Sequence, residues 1–128
     1  MRKITKWNFK VIPLELAKPL RYAVQHFESF HIARMENEDS LVSAAMLPAI
    51  RETLGMIDSQ AELSRTISLR NLVLPVFDNS QIAVLEMAIV EWAIELANVD
   101  STADIKREAM ALVREWDKRN WSETNEEG

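Results

Sequence analysis

Between Ile82 and Val99 the chain places an apolar residue at fourteen of eighteen positions, the exceptions being Glu86, Glu91, Glu95 and Asn98. A segment apolar almost all round has to be wrapped by other elements, which predicts a helix over 79–99 at the centre of a helical domain. Elsewhere the periodicity is that of amphipathic helices. Leu20, Ala23, Val24, Phe27 and Phe30 recur at helical spacing and predict a first helix over Pro19–Met35, with Pro19 in the first turn, where its missing N–H costs nothing. Leu47, Ile50, Leu54 and Ile57 mark a second helix, capped by Asp39 or Ser40 and kinked at Pro48. Ser59-Gln60-Ala61-Glu62 has the form of a capping box and predicts a third helix that stops before Pro75. Asp78-Asn79-Ser80-Gln81 opens the apolar helix in the same way, and Ser101-Thr102-Ala103-Asp104 opens a last one. In that last helix Ile105, Ala109, Leu112 and Trp116 form a single stripe.

Residues 5–11 follow a different rhythm. Trp7, Phe9 and Val11 alternate with Lys6, Asn8 and Lys10, the period of a strand. A lone strand cannot satisfy its own backbone groups, so it is expected to be a loose arm, to pair with a strand of another chain, or to lie extended across the helices. The fold class that follows is all-α: a single-domain bundle of about five helices around 79–99, with an extended N-terminal arm. The organisation is a basic and aromatic arm at 1–13, a helical domain at 14–121 and an acidic, disordered tail at 122–128.

Composition agrees with this picture. The chain has 128 residues, enough for one sizeable core, and only two glycines and four prolines, too few turn formers for a protein of many short strands. Cysteine is absent, which excludes disulfides and thiolate zinc sites and fits a cytoplasmic protein. Met1-Arg2-Lys3 is not followed by the apolar stretch of a signal peptide. Segment 82–99 falls short of the roughly 20 residues of a membrane span and carries three glutamates.

Charge changes the picture more. The net charge of −5 resolves into +5 over residues 1–21 and −10 over the rest, and 71–105 contains no Lys or Arg. A basic arm on an acidic body creates a field that favours basic partners and opposes nucleic acid.

Four constellations bear on chemistry. On a central helix Glu86 falls opposite the stripe of Glu91 and Glu95, hence toward the core, and a buried carboxylate requires a partner. Arg34 and His31 fall on the Leu20/Val24/Phe27 face of the first helix, so a buried polar network of Glu86, Arg34 and His31 is expected, as an ion pair fixing helix register. Glu28-Ser29-Phe30-His31 has the Glu-x-x-His spacing of carboxylate-bridged metal bundles, but such sites need a second motif that the chain lacks, so neither metal nor cofactor is expected. Residues 60–77 partly imitate a helix-turn-helix, with Ser68 at the position that usually carries glycine and Pro75 cutting the reading helix short. Finally, Lys6 and Lys10 interleave with Trp7 and Phe9, a pattern that serves either as an anchor or interface or as a nucleic-acid contact.

Phosphate-binding loops, Gly-x-Ser-x-Gly and His-Glu-x-x-His are all absent, so the chain is not expected to be an enzyme. The favoured function is a small acidic binding protein that inhibits or neutralises a macromolecular partner, as phage inhibitors, antitoxins and immunity proteins do. Its contact residues would be Glu91, Glu95, Glu36, Glu38 and Asp39, its partner a basic protein, and its own assembly a homodimer through the arm. Two other readings stand beside it. One is a DNA-binding transcriptional regulator using residues 60–77 and the arm. The other is a helical-bundle enzyme or metal protein centred on Glu28, His31 and Glu86.

Overall fold

The computed structural model describes residues 8–76, 79–98 and 103–118. Along the chain run β1 (Asn8–Pro13), a single 3-10 turn (Leu14–Leu16), α1 (Ala17–Glu38), α2 (Leu41–Thr66), β2 (Asn71–Val76), α3 (Asn79–Asn98) and α4 (Ala103–Trp116). The fold is mostly helical with one small two-stranded antiparallel sheet, and four α-helices are present among the described residues rather than five.

The missing break is at Ser59. α2 runs 26 residues without interruption because its buried stripe, Leu47, Ile50, Thr53, Ile57, Ala61 and Ser64, stays in phase straight through the supposed capping box. A box-like sequence begins a helix only where the backbone has already left one, and nothing before Ser59 ends α2. Pro48 and Gly55 both lie inside α2, which continues through them. At the entry to α2 the Ser40 hydroxyl accepts the backbone N–H of Ser43 at 3.1 Å. That bond satisfies one of the unpaired first-turn donors. Asp39, between α1 and α2, adopts a left-handed conformation with φ of 50°.

The chain leaves α2 through Ser68, whose φ of 58° is also left-handed. The position read as glycine-like is therefore a turn, but a strand follows it, not a helix. β2 pairs with β1 in a register that sets Lys10 opposite Leu74 and Ile12 opposite Leu72. Two bonds fasten this junction: Leu14 N–H to the Arg70 carbonyl at 2.9 Å, and the buried Ser64 hydroxyl to the Asn71 carbonyl at 3.0 Å.

The register reverses the expected faces of the arm. Ile12, Leu72 and Leu74 are fully buried and Lys10 is nearly so, whereas Phe9 is 48% exposed. Phe9 is thus not the anchor. Once β2 presents Leu72 and Leu74 to the helices, the period of two puts their partners Lys10 and Ile12 on the same side. Trp7 and Lys6 lie outside the described residues, as do the tail 122–128 and the starts of the capping segments at 78 and 101–102.

α1 packs against α2, α3 and α4. Its face of Leu20, Ala23, Val24, Phe27 and His31 meets Ile50 and Ile57 of α2, Val84, Leu85, Ala88, Ile89 and Trp92 of α3, and Leu112 and Trp116 of α4 in one core. α3 is not wrapped on all sides. Met87, Val90 and Ile94 are 44%, 43% and 53% exposed. No helix among the described residues is long and apolar enough to cross a membrane.

Candidate functional site

The polar groups expected to meet in the core are held apart. Glu86 is half-buried, and its Oε2 accepts the indole N–H of Trp116 at 3.3 Å. Arg34 is exposed, with its Nε 3.4 Å from Glu38 Oε1 and its guanidinium 5.7 Å from the centre of the Phe30 ring. His31 is buried, and its Nδ1 lies 2.7 Å from Ser43 Oγ. The network of Glu86, Arg34 and His31 is therefore not formed. The physical reason is rotational: the side of α3 that carries Glu86 turns toward α4, while the opposite flank, with Glu91, turns toward α1.

His31 does sense α3, but through Glu91. Burial first, and then the nearby Arg34 charge, hold its imidazole below its ordinary pKa, while Glu91 acts in the opposite direction. Phe27 and Phe30 set their rings edge-on to it at 4.6 and 5.2 Å. His31 Nε2 is buried and has no hydrogen-bond partner among the described residues. This Ser–His pair is no nucleophilic dyad, because Ser43 is 0% exposed and its hydroxyl reaches no substrate. Its role is to tie α1 to the first turn of α2.

A pH effect follows from that burial. The folded state holds His31 neutral, while the unfolded chain protonates it below about pH 6.5. The contribution of the neutral form is complete above that value and is lost as pH falls toward the lower folded-state pKa. Melting temperature is expected to fall as pH drops below about 6.5 in the wild type and to fall less in His31→Gln, whose amide still reaches Ser43. Equal slopes for the two proteins would remove His31 as the cause.

The Glu28/His31/Glu86 centre is not assembled either. Glu28 Oε2 bonds Arg51 Nε at 3.0 Å across α1 and α2, while His31 and Glu86 face Ser43 and Trp116. No group of three or more metal-ligating side chains converges among the described residues. The helix-turn-helix is absent as well, since 71–76, where its reading helix would lie, form β2. Arg65 is 3.6 Å from Glu62 and Arg21 is 2.7 Å from Asp58, so these bases already face carboxylates.

The acidic residues fare differently. Glu36, Glu38, Asp39, Glu91 and Glu95 are all exposed. Glu38 pairs with Arg34, but among the described residues no Lys or Arg lies within ion-pair distance of Glu91 or Glu95. Arg51 and Arg65 instead face Glu28 and Glu62, at 3.0 and 3.6 Å. Beside the two glutamates lies what sequence reasoning missed, the exposed apolar strip of Met87, Val90 and Ile94. A hollow of about 300 Å³ opens over Glu86, Met87, Val90 and Glu91. Its signal was present: a helix apolar all round exceeds what a small bundle covers.

Comparison with known proteins adds little to this geometry. No protein-family model matches the chain, and no solved structure does. The chain is similar to the nucleoporin nup184 of Schizosaccharomyces pombe, at 26% identity over 105 residues covering 74% of this chain. The match spans only 7% of that protein's length.

Proposed function

We propose that this chain is a non-enzymatic binding protein that inhibits or neutralises a basic macromolecular partner through the outward face of α3. The observation that carries the reading is the meeting of Glu91 and Glu95, exposed and without an ion-pair partner among the described residues, with exposed Met87, Val90 and Ile94 on one helix, inside a 71–105 window without a single Lys or Arg. An apolar strip rimmed by charge of one sign is the anatomy of a docking surface: the apolar part supplies affinity, and the acidic rim supplies encounter rate and choice of partner. The similarity to a small part of a nucleoporin contributes no partner to this reading.

The test compares the wild type with the Glu91→Lys/Glu95→Lys double variant. Both positions are exposed, so melting is expected to change little. Capture of basic host proteins at low salt is expected from the wild type, to weaken as salt screens the rim, and to be largely lost in the variant. Equal capture by both proteins would refute the assignment. So would tight, salt-insensitive binding of the wild type to duplex DNA.

A further inference from the structure

Ala83, Met87, Val90, Ile94 and Ala97 follow one another at intervals of four, three, four and three residues, and all five are exposed. This is the spacing of a coiled-coil seam. Glu86 and Glu91 occupy the two positions immediately beside it, one before Met87 and one after Val90. The apolar surface continues past Ala97 onto α4, where a cleft of about 100 Å³ runs between Ala93, Leu96 and Ala97 and the Ala109/Met110 pair, with Lys106 at its edge. Met110 is 53% exposed. α3 therefore has two working faces: Leu85, Ala88, Ile89 and Trp92 serve the core, and the seam faces outward.

We infer that the seam docks a single amphipathic helix of the partner, apolar along its own a and d positions and flanked by Lys or Arg. The inference rests on the proposed acidic binding role and specifies the element that role recognises. A helix is the ligand because the knobs of a seam at this spacing fit the holes of another helix. The flanks choose its charge. A second copy of this chain is a poor occupant: a parallel pair sets Glu86 against Glu91, and an antiparallel pair sets each against itself, like charge facing like in both cases. Basic flanks turn the same contacts favourable. Fourteen intervals from Ala83 to Ala97 span about 21 Å at 1.5 Å per residue, so the docked helix needs about four turns. Met87 and Met110, unbranched and pliant, accommodate variation in its side chains.

The probe is a synthetic 18-residue peptide with Leu at the seam positions and Lys beside them, titrated into the full chain. Its controls are a scrambled peptide of identical composition and a Leu peptide with Glu flanks. The Leu/Lys peptide is expected to bind, to gain helicity on binding, and to perturb backbone amide signals along 83–97. Val90→Gln and Ile94→Gln change no charge and sit on an exposed face. Each is expected to weaken binding about tenfold, the loss of roughly one apolar anchor. If the scrambled peptide binds as tightly and the Gln variants have no effect, helix docking is refuted while acidic binding of basic partners survives. If no basic peptide binds at any salt concentration, both fall. A self-associated chain dissociated by Ile94→Gln would assign the seam to a second copy. Peptide binding that tightens tenfold on removal of residues 1–7 would assign it to the chain's own basic arm. Either result overturns the proposal.

Discussion

Truncating Trp116 to alanine is expected to cost about 3–5 kcal/mol, a large share of the roughly 5–15 kcal/mol that holds a domain of this size together. The side chain is 1% exposed at the end of α4 and packed into the common core. Its indole N–H also donates to Glu86. Trp116→Phe keeps most of the apolar contact but removes the donor and part of the ring. Because Glu86 is half-buried, water replaces the lost bond, and the total cost is expected to be about 1–2 kcal/mol. Glu86→Ala should cost a similar amount. A carboxylate sealed in the core against a charge would instead have cost about 3–5 kcal/mol to disrupt. Equilibrium denaturant unfolding followed by far-UV circular dichroism measures all three. If Trp116→Ala unfolds within 1 kcal/mol of the wild type, α4 is not docked as described.

Substitution within β1 carries the second large effect, and its size depends on which side of the strand is changed. Ile12→Ala is expected to cost about 2–5 kcal/mol, because Ile12 is fully buried opposite Leu72 and its removal opens a cavity between sheet and helices. Phe9→Ala, although it deletes a larger side chain, should cost under about 1 kcal/mol, since nearly half of that ring already meets water. The comparison tests strand register directly. A slip of one residue would exchange the two faces and invert the order of the two losses. The reversed order would show that the aromatic side of the arm is the anchor after all. The contrast also predicts that a truncation removing β1 is far more harmful than one ending before Asn8, because only the longer deletion strips β2 of its hydrogen-bond partner.

Much of the architecture was decided by local pattern. The helical class, the stripes of α1 and α4 apart from Phe30 and Ile105, which end up 46% and 39% exposed, the Ser40 cap and the extent of α3 all follow from spacing and capping chemistry that act within a few residues of each position. The acidic window 71–105 is likewise a property of the chain itself. What only tertiary structure decided were the questions of phase and partnership. Whether Ser59 starts a helix depended on whether the stripe of α2 found continuous apolar cover from Leu47 to Ser64, and it did. Whether 71–76 is strand or helix depended on residues some sixty positions earlier, because a strand exists only when another supplies its hydrogen bonds. The arm faces inward through Ile12, beyond the Trp7/Phe9/Val11 alternation, because β2 set the register. Glu86 was placed by the rotation of α3 between α1 and α4, which no period within α3 encodes. The same rotation left Met87, Val90 and Ile94 outside. Hydrophobic periodicity tells which residues seek cover. Only the packed neighbours determine which of them receive it, and a bundle this small has more apolar helix surface than it can enclose.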